Sequence, residues 1–289
     1  MPSDTRSAPT GDLPQILRAV DRALRSGDVP LAGRLAQQAL AGGLVHPLLF
    51  EARGRCRKQR GLLKDALDDL QRAHTLAPKS AAILCELAEC LNGLGRHKMA
   101  ILACGDALAI DEALPAAWFH KAIAHQLLNQ PERACDCYLQ TVRLKPDAAG
   151  AYARLANLSA LQGRHAETRD FAERALALVP DDAVAVMALA RADLAEDQFE
   201  DAERHLTWLV GNAEPDLKAI ALGCLGDLRD AQGKTREAFE AYRDAGATFR
   251  AAHAARAGQF GSETGCEQVR RVTRAFETLP PQSWSASAR

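Results

Sequence analysis

The sequence predicts an all-α fold, a solenoid of about seven helix-turn-helix repeats closed by a C-terminal capping helix, and two observations carry that expectation. Small residues recur on a fixed ruler. Gly27, Gly61, Gly95, Asn129, Gly163, Asp197 and Gly233 follow at steps of 34, 34, 34, 34, 34 and 36 residues. Five residues after them stand Ala32, Ala66, Ala100, Ala134, Thr168, Ala202 and Ala238. A period of this kind means stacked units, each covering its neighbour's apolar face. The second observation is composition: 47% of residues are hydrophobic but only 5% aromatic, which fits close-packed helices of Ala and Leu rather than strands.

The elements follow in order. Residues 1–12 are polar and rich in Pro, Ser and Thr, too poor in large apolar groups to offset the entropy of ordering, so a disordered tail is expected. Repeat one, from about Leu13 to Val45, sets Ile16, Leu17, Val20 and Leu24 on one stripe, then Gly27, then a helix with Leu31, Leu35 and Leu40. Repeat two runs from Pro47 to Ser80. Proline suits a first helical turn, where its missing N–H goes unused. Gly61 offers the left-handed backbone that reverses the chain. Ala66 and Ala73 let paired helices approach, Leu70 fills the gap, and Pro78 ends the second helix.

Repeats three to six span Ala81 to Leu114, Pro115 to Ala148, Ala149 to Asp182 and Ala183 to Asp216, and repeat seven runs from roughly Ala219 to Ala252. Pro146 and Pro180 recur where Pro78 stood, with Pro215 displaced by one. Asn129 and Asp197 replace the turn glycine as the residues best able to tolerate left-handed backbone. Trp118, Tyr152 and Leu222 share one slot, and Tyr138 and Tyr242 another. The array is expected over 13–252. The last helix should run past Phe249 and His253 toward Ala257. After a Gly-rich break, Val269, Val272, Phe276 and Leu279 mark a capping helix within an extension over 253–279, followed by a disordered tail over 280–289.

These letters resemble the tetratricopeptide repeat (TPR) family, whose pattern joins a Trp, a Leu-Gly pair, an Ala-x-x-x-Phe/Tyr element and a closing Pro. Leu225-Gly226, Ala134 to Tyr138, Ala238 to Tyr242, and Pro78, Pro146 and Pro180 carry the likeness. The resemblance implies antiparallel helix pairs in a right-handed superhelix, with each first helix lining a concave groove. The tail, through Tyr242, Phe249, Gln268 to Phe276 and Trp284, is similar to the segment joining repeats to catalytic domain in TPR-containing sulfotransferases. That likeness implies a substrate-recruiting repeat region, and the phosphate-binding loop such an enzyme needs does not occur between Pro280 and Arg289.

Charge and motifs exclude several classes. A formal net charge of -1 supplies no field for nucleic acid or anionic membranes. There is no long apolar run and no leader pattern, so a cytoplasmic protein is expected. The eight cysteines form no CxxC pair, and Cys56, Cys90, Cys104 and Cys135 fall on small or apolar offsets, which reads as reduced, buried thiols. His120 and His125 lack the spacing of a zinc protease, and neither a GxxxxGK[ST] loop nor a nucleophile elbow is present. A non-enzymatic chain without metal or cofactor is expected.

Function is then expected on the first helices. Their groove offsets carry Arg25, Glu51, Arg55 and Lys58; Glu89 and Asn92; Phe119, Ile123, Gln126 and Leu127; and Asn157, Met187, Arg191 and Leu194. An apolar middle flanked by polar ends suits a protein or peptide partner, with Phe119, Ile123 and Leu127 as anchors and Arg55, Lys58 and Arg191 as orienting charges. The same offsets also serve to pack adjacent repeats. Chaperone-binding members of the family hold a C-terminal carboxylate with Lys, Asn and Arg; here the matching places offer Glu51, Arg55 and Glu86, which argues against that partner. Self-association through the C-terminal helix is a further option.

Overall fold

Left-handed backbone sits where the ruler requires it. Gly27, Gly61, Gly95, Gly163 and Gly233 have φ between 70° and 77°, while Asn129 and Asp197 adopt 55° and 57°. A Cβ at any of these five glycines would meet nothing within 4 Å. The constraint is therefore backbone conformation rather than space.

The computed structural model describes residues 12–257. The seven turns separate seven helix pairs: α1 (Leu13–Arg25) with α2 (Val29–Ala41), α3 (Pro47–Gln59) with α4 (Leu63–Leu76), α5 (Ala81–Gly93) with α6 (His97–Ile110), and α7 (Pro115–Leu127) with α8 (Pro131–Leu144). They continue as α9 (Ala149–Leu161) with α10 (His165–Leu178), α11 (Ala183–Ala195) with α12 (Phe199–Asn212), and α13 (Pro215–Ala231) with α14 (Thr235–Ala257). No strand occurs among the described residues. The chain falls into two compact units, Met1–Ala188 and Leu189–Arg289, and the division lies within α11.

In the first unit each first helix packs on its own second helix and on its predecessors. The core is accordingly a row of local clusters. Val20, Ala32, Ala36 and Leu49 form one; Leu70, Ile83, Leu87, Ala100 and Cys104 another; Ala134, Tyr138, Ala151 and Leu155 a third. Ala66, Ala73, Ala100, Ala134 and Thr168 are fully buried, as small residues must be where paired helices cross closely. Helix starts are marked chemically. Asp28 accepts from the N–H of Leu31 at 2.9 Å, and Asp182 from those of Val184 and Ala185 at 2.9 and 3.0 Å.

The second unit departs from the sequence reading in one respect. Repeat seven was expected from about Ala219, with Pro215 as a displaced stop; instead Pro215 lies in the first turn of α13, which runs 17 residues. Proline is as well placed in a first turn as after a last one, so the letter alone does not decide. In this unit α14 packs on α13 and continues to Ala257. Gly226 there faces Tyr242: an added Cβ would lie 2.4 Å from Cε1 of that ring. The expected tail before residue 12, the capping helix from Cys266 to Leu279 and the tail over 280–289 lie outside the described residues.

Candidate functional site

Within the first unit the first helices α1, α3, α5 and α7 pack successively, side by side, and the expected groove residues on them fall into two sets of different character.

The first set is an ion-paired network. Arg25 is exposed and pairs with Asp21 at 2.9 Å. Arg55 reaches Glu51 at 3.6 Å and Glu86 of α5 at 3.4 Å, and Lys58 donates to Glu86 at 2.6 Å and to Glu89. His120 of α7 stands 3.8 Å from Glu89. Desolvation holds the Glu51 carboxyl above its ordinary range; Arg55 opposes this, while Glu86 and Asp21 add to it. Burial alone would lower Lys58, but the charges and hydrogen bonds of Glu86 and Glu89 outweigh it and push the ammonium up. Burial also pulls His120 below its ordinary value, against the pull of Glu89. Asn92 is buried; its amide donates to the carbonyl of His120 at 2.9 Å and its Oδ1 lies 3.4 Å from His97 Nδ1. Arg55, Lys58, Glu89 and Asn92 are thus held by other parts of the protein.

The second set borders a cleft of about 580 Å³ between α7 and α9 over the end of α8. Phe119 and His120 line it from α7, Thr141 and Lys145 from the end of α8, and Asp147 and Gly150 from the approach to and start of α9. Phe119 is half-buried. Its ring meets Tyr138 edge-on at 5.8 Å and His120 at 5.7 Å, which fixes its plane. An added Cβ at Gly150 would stand 3.8 Å from Phe119 Cζ, an ordinary contact, so a side chain at this position faces the cleft. Lys145 is exposed on the rim and has no partner among the described residues.

Gln126 accepts from the Tyr138 hydroxyl at 2.8 Å; Ile123 and Asn157 are half-buried, and Leu127 is 56% exposed. Met187, expected on the groove, is only 1% exposed and belongs to the core, where an unbranched apolar side chain fills gaps well. In the second unit Arg191 and Leu194 are half-buried on α11, and burial raises the Cys224 thiol of α13 against the opposing charge of Arg191. Lys145 caps the end of the second helix α8 and Gly150 stands in the first turn of α9, so neither falls on the mid-helix offsets that mark the expected groove. Glu86 enters the sequence-based expectation only as an obstacle to carboxylate binding.

Cys56, Cys85, Cys90, Cys104, Cys135, Cys137 and Cys224 are free thiols, and desolvation raises Cys85 and Cys90 to about 11 and Cys104 to about 12. Among the described residues no group of His, Cys, Asp and Glu is arranged to hold a metal ion, and no helix is long and apolar enough to cross a membrane.

Comparison with known proteins agrees with this architecture. Residues 119–183 match the family model described as tetratricopeptide repeat. No curated protein matches the chain. Among solved structures, PilW, a widely conserved type IV pilus biogenesis factor, superposes with a TM-score of 0.61 at 17% identity over 73% of this chain and 99% of PilW. The Pseudomonas aeruginosa pilF structure gives 0.59 at 14% identity over 68% of this chain and 90% of its own. A tetratricopeptide repeat protein from Parabacteroides merdae gives 0.59 at 17% over 81% and 92%. At these identities the likeness is one of fold. None of this supports the similarity of the tail to TPR-containing sulfotransferases, whose marks at Gln268 to Phe276 and Trp284 lie outside the described residues. The described residues are all-α antiparallel helix pairs with the fold of tetratricopeptide-repeat proteins, and residues 119–183 match that family's model.

Proposed function

We propose that this protein is a non-enzymatic scaffold that seats a segment of a protein partner along its first helices, with an apolar side chain of that segment in the cleft beside Phe119. The observation that carries the reading is the cleft itself: an oriented aromatic wall, a glycine facing it, and charged groups at the rim. Such apolar pockets with a few polar groups are where a partner's anchor residue gains most. The tetratricopeptide-repeat fold, used widely for holding protein segments, supports it.

The charges narrow the partner. Glu51, Glu86 and Glu89 outnumber Arg55 and Lys58 in the network on α3 and α5. That side suits a basic residue of the partner and not a terminal carboxylate. Across the cleft Lys145 suits an acidic one. Ile123 and Leu127 extend the apolar contact, with Arg25, Gln126 and Asn157 at its edges; Arg191 and Leu194 form a separate contact on the second unit. Free thiols at the seven described cysteines fit a reducing compartment such as the cytoplasm.

The double variant Phe119→Ala with Ile123→Ala tests the reading. It should lose partner binding at least tenfold while its helical circular dichroism stays that of the parent; unchanged binding sinks the assignment.

A further inference from the structure

A second cleft, of about 480 Å³, opens between α2 and α4 over α3. At about 100° per residue, Arg53 and Arg57 fall on the side of α3 opposite Glu51, Arg55 and Lys58. This cleft therefore lies away from the groove discussed above and is independent of its function. Arg34 and Gln37 of α2, Arg53 and Arg57 of α3, Arg60 at the α3 C-cap and Asp65 of α4 line it.

Close helix contact builds the cleft. Gly33 lets α2 approach α3 so nearly that an added Cβ would fall 2.4 Å from Cβ of Cys56. That approach sets Gln37 Oε1 3.2 Å from Nη1 of Arg53. Beneath, Asp69 is 2% exposed and takes two bonds from Arg53, at 2.8 and 2.5 Å, and one from Arg57 at 2.7 Å. Arg57 also donates to the carbonyl of Asp65 at 3.3 Å. One buried carboxylate thus fixes two guanidinium groups before any ligand arrives, which removes much of the ordering cost of binding.

The donors are not used up. Nε and Nη2 of Arg57 have no protein partner, and Arg34 and Arg60, both exposed, have none at all among the described residues. Four arginines face two carboxylates, Asp65 and Asp69, so the lining keeps two uncompensated positive charges. A planar monoanionic carboxylate satisfies one guanidinium fork; a tetrahedral dianion satisfies several converging ones. The volume also exceeds that of a bare oxyanion, leaving room for the group that carries it.

We infer that this cleft is a binding site for a phosphate dianion, free or carried as a monoester, with Arg57 as its fixed donor and Arg34 and Arg60 closing on the anion from the rim. The same chemistry serves a phosphorylated side chain and free phosphate, and calorimetry separates them. The probes are inorganic phosphate, a phosphoserine peptide and the same peptide with serine, each titrated into the full chain. Phosphate or the phosphopeptide should bind at least tenfold more tightly than the serine peptide and dimethyl phosphate. Tighter binding of the phosphopeptide than of phosphate would mark a protein source, and the reverse a free one; both support the site. Arg34→Ala with Arg60→Ala should lose at least tenfold in affinity with an unchanged melting curve, because both side chains are exposed and unpartnered. Arg133→Ala, at an exposed arginine on α8, should bind as the parent does. The proposal fails if neither phosphate probe binds, if the double variant binds like the parent, or if dimethyl phosphate competes as well as the dianion.

Discussion

The ammonium of Lys58 on α3 lies 2.6 Å from the carboxylate of Glu86 on α5, so the first helices of successive repeats are joined by charge as well as by packing. The two side chains are only 17% and 16% exposed, too little for water to screen the pair fully. Lys58→Met leaves Glu86 and Glu89 without this donor, while Arg55 still holds Glu86. A loss of about 1–3 kcal/mol is expected in a urea titration, the cost of removing hydrogen bonds to charged groups. The folded-state value of Lys58 is raised, so its contribution is in place below the ordinary 10.5 and disappears only as pH climbs through the raised value. The cost of the variant should therefore be constant from pH 7 to 9.

Asp69 supports a stronger prediction, since it is 2% exposed and binds both Arg53 and Arg57. Asp69→Asn should cost about 3–5 kcal/mol, the range for breaking a buried pair from one side. Loss of less than about 1 kcal/mol would mean that the two arginines turn out to solvent without penalty.

The turns give a prediction of opposite sign within one position. Asn129 carries φ of 55° in the same place where five repeats use glycine. Asn129→Gly should be neutral or slightly stabilising, and Asn129→Val should cost about 1–2 kcal/mol by the left-handed penalty for a branched residue. Thermal melts of the pair, compared with the parent, decide it.

His120 makes stability depend on pH in the acid range. Burial lowers its folded-state value, with Glu89 pulling up and Lys58 pulling down, so the unfolded chain takes the proton first. Its contribution is complete above the unfolded value near 6.5 and is lost as pH falls through that value toward the folded one. His120→Gln should lose less stability than the parent between about pH 7.5 and pH 5.5. Parallel curves would mean that other groups set the acid limb.

Much of the fold was legible because a 34-residue period is written in backbone requirements that few letters satisfy. Gly61 and Asn129 announce a reversal, and Ala66 and Ala134 announce a close crossing. Pro215 was not decidable, since proline serves both the end of one repeat and the start of the next. The candidate site was legible only in part. Lys58 meets residues 28 and 31 positions further on, a pairing set by the register between repeats and invisible to any one helix. The same holds for Arg53 and Asp69, whose pairing exists only once α4 is laid on α3. Met187 shows the reverse error: a helical offset says which face a residue occupies, not whether that face is covered.

The most direct test of the central claim uses Gly150. Its backbone is not in the left-handed region, and a side chain there points toward Phe119, so Gly150→Trp fills the cleft without removing any existing contact. A displayed library of random peptides would be selected on the parent protein, and the enriched peptides titrated into both proteins by fluorescence anisotropy. The account predicts peptides with one recurrent large apolar residue, a basic residue to one side and an acidic residue to the other, and at least a tenfold loss of affinity in Gly150→Trp with the fold unchanged. Peptides that bind Gly150→Trp as well as the parent would contradict it.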